Sequence, residues 1–248
     1  ALRWMRHFHN SAQATLVPTR ELHAFLEGQR FNNVIRLPRA VDTQMFHPNL
    51  RDPRLRARWG LKDDDLAVIY VGRIAAEKNL PLAVRAFRQL QQIRPQARFI
   101  WVGDGPARAA LQRENPDFLF CGIQRNEALA RHFASGDLFL FPSLSETFGN
   151  VTLEALASGI PTIAFDYGAA HEALQDGVQG AAIACNDDAA FIAATMRLGS
   201  DNTNLTQMRL ACRDAVSGLQ PARVAEAFDQ ILQSLTIRGD RHVATALP

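Results

Sequence analysis

Apolar residues along the chain fall into two kinds of segment that alternate in sequence. Short runs that are apolar throughout predict strands buried on both faces, whereas apolar residues spaced three or four positions apart predict amphipathic helices. The strand pattern occurs at residues 66–72, 97–103, 117–122, 137–141, 160–165 and 180–185. Helices are predicted at 79–94, from Pro106 onward, at 126–135, from Gly149 onward, and at 169–174, 187–199, 203–216 and 221–235. This alternation predicts an α/β fold, with a parallel sheet covered by helices on both faces.

The first 65 residues do not follow the alternation. Two short strands are predicted at 14–18 and 34–37, and the helix between them begins after the N-cap Thr19 and ends at Gly28. Residues 50–65 are charged and predict a linker. Arginines are frequent in this part of the chain, which indicates either an ordinary solvated surface or a face near anionic lipid or an acidic acceptor. The sequence begins without Met and in mid-pattern, so we expect a fragment of a longer protein.

Composition narrows the class of function. The 248 residues are 47% apolar, enough for a sizeable core, and the formal net charge of +2 gives no overall field that would favour nucleic acid. The three cysteines are widely spaced and match neither a disulfide framework nor a metal site, so we expect a reducing compartment. No signal peptide is expected, and the given residues contain no apolar run of about 18 residues, the length that predicts a membrane-spanning helix.

The stretch from Phe141 to Pro161 carries the strongest functional signal. Ligands of parallel sheets bind at the carboxyl ends of the strands, and here a strand ends at Phe141 and a helix opens near Gly149. The first N–H groups of such a helix attract anions, and a glycine lets a phosphate approach the backbone closely. Glu146 and Glu154 lie on either side of this turn. A central phosphate site between two carboxylates suits a nucleotide-sugar, which has a diphosphate in the middle and hydroxyl groups at both ends.

Charged residues near this turn admit more than one interpretation. Arg73 and Lys78 follow the first strand of the alternation and either clamp a diphosphate or form an ordinary surface pair with Glu77. Glu146 and Glu154 could form a general acid and base pair, but they are separated by about two helical turns. The helix N-terminus would also keep Glu146 ionised, which makes it a poor acid. Binding of ligand hydroxyls therefore suits both glutamates better.

Other catalytic and metal-binding patterns are weak or absent from the sequence. No G-x-G-x-x-G opens a helix and there is no P-loop, which argues against a dinucleotide dehydrogenase and against an NTPase. Asp63 and Asp65 form a D-x-D pattern, but their position in a charged linker favours a solvated loop over a metal site. Ser143 and Ser145 are interpreted as turn residues, and His171 as a cap-region residue rather than a ligand contact.

These motifs together resemble the family 4 retaining glycosyltransferases, which have two Rossmann-like domains facing each other in the GT-B fold. The resemblance covers residues 66–236 and is carried by VGRIAAEKN (71–79), WVGDGP (101–106), DLFLFPSLSETFGNVTLEALASGIP (137–161) and YGAAHEALQDGVQG (167–180). It implies that residues 1–48 are the end of an N-terminal acceptor domain and its crossover, that 49–236 form a Rossmann-like donor-binding domain, and that 237–248 form a tail. The chain has Ala40 where the family usually has a glycine.

The resemblance also implies a role for each site residue. Arg73 and Lys78 would hold the diphosphate and stabilise it as a leaving group, and Glu146 would hold sugar hydroxyls beside them as the third catalytic residue. Glu154 would bind the ribose, and the loop from Gly122 to Asn126 would meet the base. The remaining donor-binding residues are Gly72 and the four whose N–H groups would bind phosphate and the hexose edge, namely Phe148, Gly149, Asn150 and Val151.

The function implied is transfer of a hexose to an acceptor in glycolipid or polysaccharide synthesis. Mannose from GDP-mannose is the favoured donor, and the alternatives are a UDP-sugar of the UDP-glucose type or a non-catalytic nucleotide-sugar-binding module. No metal, other cofactor or nucleic acid is expected. The acceptor, a sugar or a lipid-linked sugar, would bind through the missing N-terminal domain, so we expect the fragment alone to transfer nothing. The expected location is the cytoplasm, with peripheral contact at the inner face of the cytoplasmic membrane as an option for the full-length protein.

Overall fold

The computed structural model describes residues 2–62 and 64–244. Its contacts divide into two compact units. The larger unit comprises Val41–Ser217, and the other combines the segment up to Ala40 with the segment from Gly218 onward. In the described residues, no helix combines the length and the apolar content needed to cross a lipid bilayer.

The smaller unit begins with a two-stranded parallel sheet and two helices. Its N-terminal segment contains α1 (Leu2–Asn10), β1 (Thr15–Val17), α2 (Arg20–Gly28) and β2 (Val34–Arg36). Thr19 caps α2 as predicted, because its side chain accepts a hydrogen bond from the Leu22 N–H at 3.1 Å. The apolar side chains of α1 are exposed, and the rings of Trp4 and Phe8 stack on each other with centroids 5.8 Å apart.

The larger unit contains the predicted parallel sheet. Its strands are β3 (Ala67–Val71), β4 (Arg98–Val102), β5 (Leu119–Gly122), β6 (Leu138–Phe141), β7 (Thr162–Phe165) and β8 (Gly180–Ile183). They lie in the order β5-β4-β3-β6-β7-β8, and every neighbouring pair is parallel. The predicted α/β architecture is therefore confirmed, as a Rossmann-like sheet of six strands.

Helices of the larger unit connect these strands and cover the sheet. They are α3 (Pro53–Arg58), α4 (Leu80–Ile93), α5 (Arg108–Glu114), α6 (Asn126–Ser135), α7 (Asn150–Ala157), α8 (Ala169–Ala173), α9 (Asp188–Gly199) and α10 (Asn202–Val216), with short 3-10 turns at Pro48–Leu50 and Ala76–Lys78. On the sheet, α4 packs against α9 and α7 packs against α10. The helix predicted to start at Pro106 begins two residues later, at Arg108, because Pro106 lies in the preceding turn.

The last helix belongs to the smaller unit. α11 (Pro221–Ala244) continues beyond residue 235, where the sequence pattern predicted its end, and includes Gly239, where a frayed tail was predicted. Residues 245–248 lie outside the described residues, as does Asp63.

Strand order fixes where a ligand site can form in the larger unit. The chain moves outward from β3 through β4 to β5, then returns to place β6 on the other side of β3. Loops at the carboxyl ends of β3 and β6 therefore diverge and leave a crevice between them. The core beneath is aromatic, since the fully buried ring of Trp101 packs against those of Tyr70 and Phe99, with centroids 4.6 and 4.7 Å away. Rigid packing of this kind fixes the strand ends that carry the two loops.

Candidate functional site

A cavity of about 310 Å³ lies between the loops that follow β3 and β6. It brings together most of the residues predicted for the site, namely Gly72, Arg73, Lys78, Glu146, Gly149, Asn150 and Val151. Val71, Glu77 and Phe141 complete the lining. Residues separated by about seventy positions in sequence therefore share one surface, as the strand order requires.

Lys78 and Glu146 form a largely buried ion pair in this cavity. The Lys78 Nζ lies 2.6 Å from the Glu146 Oε1, and the two side chains are only 15% and 18% exposed. Ser143 Oγ donates a second hydrogen bond to the same carboxylate oxygen at 2.8 Å. The carboxylate thus offsets the positive charge of Lys78, and a ligand phosphate would have to compete with it.

Arg73 is arranged differently from Lys78. Its guanidinium Nη1 lies 3.1 Å from the Glu77 Oε1, so the surface pair weighed in the sequence analysis is present. The two side chains are 66% and 44% exposed, and exposed pairs of this kind contribute roughly 0–1 kcal/mol. The backbone beneath is held more firmly, because the buried Tyr70 hydroxyl donates to the Arg73 carbonyl at 2.9 Å. The Arg73 side chain can therefore leave Glu77 at little cost and turn toward an anion.

The N-terminus of α7 opens on the same cavity. Gly149 is the N-cap residue, with φ +89° in the left-handed region that favours glycine, and no side chain caps the helix. The N–H groups of the first helical residues, including Asn150 and Val151, have no acceptor within the helix. Both residues line the cavity with Arg73 and Lys78. Uncapped N–H groups and two cations in one cavity form a site suited to a phosphate or diphosphate.

A second cavity of about 300 Å³ adjoins the first and shares Val71, Gly72 and Arg73 with it. Its other lining residues come from the ends of β4 and β5 and from α6, namely Val102, Gly103, Asp104, Ile123, Gln124 and Leu129. The turn after β4 fits closely against the end of β3, since a Cβ at Gly103 would lie 2.0 Å from the Gly72 carbonyl oxygen. The two cavities together offer room for a ligand longer than a phosphate.

Three of the predicted donor-binding residues do not line either cavity. Gly122, with φ +66°, immediately precedes Ile123 and Gln124, which line the second cavity. The Phe148 side chain is buried, and its carbonyl accepts a hydrogen bond from the Ala169 N–H at 2.7 Å. Glu154 lies one helical turn beyond Asn150, and its burial raises the pKa of its carboxyl group above the ordinary value. The roles of all three residues stay predictions.

Sequence reasoning missed two residues that hold Glu146. Ser143, read as a turn residue, is almost completely buried and donates to the Glu146 carboxylate. Tyr167 accepts a hydrogen bond from the Glu146 N–H at 3.0 Å through its hydroxyl oxygen. The sequence pattern could have indicated Tyr167, because this residue follows β7, the strand next to β6, and so lies on the same edge of the sheet.

The remaining candidates do not join this cluster of contacts. His171 Nδ1 lies 2.9 Å from an Asp166 Oδ1, and both side chains are nearly half exposed. Among the described residues, no group of three or more His, Cys, Asp or Glu side chains could hold a metal ion. Asp63 lies outside the described residues, and the Asp65 carboxylate accepts a hydrogen bond from the Lys62 N–H at 2.8 Å.

Comparison with protein families decides the affiliation of the chain. The profile of the family described as "Glycosyl transferases group 1" matches residues 65–201, more than half of the sequence. The chain belongs to this family. The matched range contains every predicted site residue, from Gly72 to Glu154.

Curated relatives of this chain include two mannosyltransferases. The chain is 32% identical over 230 residues to the GDP-mannose-dependent alpha-mannosyltransferase of Corynebacterium glutamicum, a match that covers 93% of this chain and 54% of the relative. It is 41% identical over 169 residues to the protein of the same name from Mycolicibacterium smegmatis, covering 68% of this chain and 43% of the relative. The chain thus spans about half the length of the curated relatives it matches.

Solved structures share the fold of this chain. Anabaena HepE in complex with UDP superposes with a TM-score of 0.82 at 19% sequence identity, over 94% of this chain and 67% of HepE. At that level of identity the similarity shows the fold alone, and the Rossmann-like sheet of this chain corresponds to one half of a GT-B fold.

Proposed function

We propose that this chain is the donor-binding portion of a retaining hexosyltransferase that uses a nucleotide-sugar. The observation that carries the proposal is the cavity in which the uncapped N-terminus of α7 lies with Arg73, Lys78 and Glu146. Two cations and free N–H groups match a diphosphate, and a carboxylate at the edge matches sugar hydroxyls. The adjoining cavity gives the rest of a nucleotide a place to bind.

The proposed chemistry depends on positioning and electrostatics. Arg73 and Lys78 hold the diphosphate and stabilise the negative charge that develops on it as the bond to the sugar breaks. The α7 N–H groups share that charge and contact the hexose edge. Departing phosphate takes the proton from the acceptor hydroxyl on the same face of the sugar, so the protein aligns the reactants and supplies no nucleophile. Glu146 binds the sugar hydroxyls and fixes the ring relative to the acceptor.

The nucleoside would extend from the diphosphate into the second cavity. Ile123 is 61% exposed at its mouth and offers an apolar surface to one face of a base. Gly122 begins the loop that carries Ile123, and its left-handed conformation directs the chain there. Glu154 binds the ribose hydroxyls in this proposal.

We favour GDP-mannose as the donor. The support comes from the relatives at 32% and 41% identity, both of which are GDP-mannose-dependent alpha-mannosyltransferases. HepE, which binds UDP, shares only 19% identity with this chain. A UDP-sugar therefore stays the alternative, and a direct binding comparison separates the two.

The acceptor site belongs to parts of the protein beyond this chain in our proposal. A two-stranded parallel sheet is too small to be stable by itself, and the smaller unit leaves Trp4 and Phe8 of α1 71% and 59% exposed. We propose that the part of the relatives that this chain does not span forms an acceptor domain, which completes that sheet and covers the apolar face of α1. This acceptor domain would bind a sugar or a lipid-linked sugar, and in the lipid case it would do so at the surface of the cytoplasmic membrane.

A calorimetric titration tests the donor site. We expect this chain to bind either GDP-mannose or UDP-glucose more tightly than the other, without added metal. It should also bind the nucleoside diphosphate, GDP or UDP, that matches the preferred nucleotide-sugar. Arg73→Ala and Glu154→Ala should each weaken that binding about tenfold, the effect of losing one hydrogen bond to a charged group. Glu114→Ala is the control, because Glu114 is an exposed glutamate at the end of α5. Absence of binding at millimolar ligand would contradict the proposal.

A transfer assay tests the division of labour between this chain and the rest of the protein. We expect the 248-residue chain to give no transfer from GDP-mannose to sugar or lipid-linked acceptors, because we place the acceptor site in the half of the relatives' length that this chain does not span. The measurement is incorporation of labelled mannose, with the longer protein assayed in parallel. Detectable transfer by this chain alone would show that it holds a complete acceptor site.

A further inference from the structure

Two adjacent loops of the larger unit are joined directly at the candidate site. The Tyr167 hydroxyl accepts a hydrogen bond from the Glu146 N–H at 3.0 Å, and the Ala169 N–H donates to the Phe148 carbonyl at 2.7 Å. These contacts connect residues 142–149, after β6, with residues 166–169, after β7. Because β6 and β7 are neighbours in the sheet, the second loop supports the first along its length. The backbone position of Glu146 therefore depends on Tyr167.

The carboxylate of Glu146 is held at one oxygen only. Lys78 Nζ and Ser143 Oγ both contact Oε1, at 2.6 and 2.8 Å. Oε2 makes no hydrogen bond to any residue in the described part of the chain. Ser143, Glu146 and Tyr167 line one small cavity together. One oxygen is thus locked by protein contacts while the other is left for a ligand.

We propose that Tyr167 is a positioning residue for recognition of the donor sugar: by holding the Glu146 backbone, with Ser143 holding Oε1, it directs Oε2 toward a sugar hydroxyl. The inference rests on the proposed function and adds to it the residue that sets the geometry of Glu146. Hydrogen bonds weaken steeply when their angle or length departs from the optimum, so a loosened Glu146 would lose much of its contact with the sugar. Arg73 and Lys78, which contact the diphosphate in this proposal, would keep theirs.

A purely structural role for Tyr167 makes a different prediction. If its hydroxyl served only to stabilise the two loops, its loss would disturb the α7 N-terminus and weaken all phosphate-containing ligands alike. A positioning role confines the effect to ligands that carry the sugar. The ratio of nucleotide-sugar affinity to nucleoside diphosphate affinity therefore distinguishes the two roles.

The test uses Tyr167→Phe, which removes the hydroxyl and keeps the ring. Calorimetry with GDP and GDP-mannose, or with UDP and UDP-glucose if wild type prefers that pair, should show a nucleotide-sugar Kd raised about five- to tenfold. The Kd of the diphosphate should change by less than about twofold. Ser143→Ala should give the same selective loss. Tyr70→Phe is the contrasting variant, because its hydroxyl holds the Arg73 carbonyl and its loss should weaken both ligands alike.

The outcomes separate this inference from the proposed function. Equal weakening of both ligands in Tyr167→Phe, or no change in either, overturns the positioning role while donor binding by wild type stands. Wild type that binds none of the four compounds overturns the proposed function and this inference with it. A thermal unfolding midpoint within a few degrees of wild type, about 2–4 °C per kcal/mol for a domain of this size, confirms that Tyr167→Phe is folded when its binding is measured.

Discussion

Replacing Lys78 by alanine is expected to weaken binding of GDP, or of UDP if that is the preferred base, by about 10- to 100-fold, the range for hydrogen bonds to a charged group. The Lys78 side chain is only 15% exposed and lines the cavity at the N-terminus of α7. A cation so placed interacts with a diphosphate through a medium less polar than water, so its loss should cost more than the loss of an exposed cation. Arg113→Ala, a change to an exposed arginine near the end of α5, is the control and should bind as wild type.

The partner of Lys78 should respond in the opposite sense toward the diphosphate. Glu146→Gln removes the negative charge 2.6 Å from the Lys78 Nζ, so it should leave diphosphate binding unchanged or raise it by about threefold. Binding of the nucleotide-sugar should fall, because the glutamine can no longer accept from a sugar hydroxyl as a carboxylate does. Calorimetry of Lys78→Ala and Glu146→Gln with the diphosphate and with the nucleotide-sugar shows whether each variant loses affinity mainly for its own ligand. A loss of diphosphate binding in Glu146→Gln as large as that in Lys78→Ala would contradict the proposed assignment of Lys78 to phosphate and Glu146 to sugar.

The fold and the sheet edge that carries the candidate site could be predicted from the sequence because both depend on local patterns. Runs such as 66–72 and 137–141 are apolar throughout, and a strand buried on both faces needs that composition. Gly149 marks the start of the helix that follows β6. The loops between strands and helices of a parallel sheet lie on one edge, where ligands bind. Strand order was not predictable in this way, because it depends on which helices can pack together. The neighbouring positions of β3 and β6 became visible only in the structure.

Side-chain pairings were harder to foresee than backbone elements. The sequence analysis grouped Arg73 and Lys78 as equivalent cations. In the structure Arg73 pairs with the exposed Glu77, whereas Lys78 pairs with the largely buried Glu146. Each choice depends on where two loops meet in space, and the pairing of Lys78 joins residues 68 positions apart in sequence. Tyr167 was missed for the same reason, since its hydrogen-bond partner is a backbone N–H on another loop.

The largest feature that sequence reasoning missed is a buried charge cluster at the other end of the sheet. Asp137 directly precedes the apolar strand β6, where a charged residue is easily read as part of a turn. Its carboxylate instead contacts three arginines, with N–O distances of 2.8 Å to Arg51, 2.8 Å to Arg56 and 2.7 Å to Arg209. It also accepts a hydrogen bond from the Ala67 N–H at the start of β3. Asp137 thereby joins the segment before the sheet, two central strands and α10.

The ionisation of Asp137 is set by opposing effects. Burial favours the neutral acid, but the charges of Arg51, Arg209 and Arg56 outweigh it and hold the pKa of the Asp137 carboxyl below its ordinary value. A carboxyl whose pKa is lower in the folded protein contributes stability that is fully present above the unfolded pKa of about 3.9. That contribution is lost as the pH falls through the lower, folded pKa.

Asp137→Ala is therefore expected to destabilise the chain by about 3–5 kcal/mol, the cost of leaving buried charges without their partner. Three guanidinium groups would remain around the vacated position, and the Ala67 N–H would lose its acceptor. Asp137→Asn, which keeps an oxygen for that N–H, should lose less stability, and the difference in its free energy of unfolding from wild type should shrink as the pH is lowered below about 4.

Asp188→Asn is the matched control, since Asp188 pairs with Arg85 at a half-exposed position and its loss should cost roughly 0–1 kcal/mol. Chemical denaturation between pH 3 and 7 measures all three. A deficit in Asp137→Asn that stays constant over that range would mean that the carboxylate charge contributes nothing, and that Asp137 acts only by filling space and accepting hydrogen bonds.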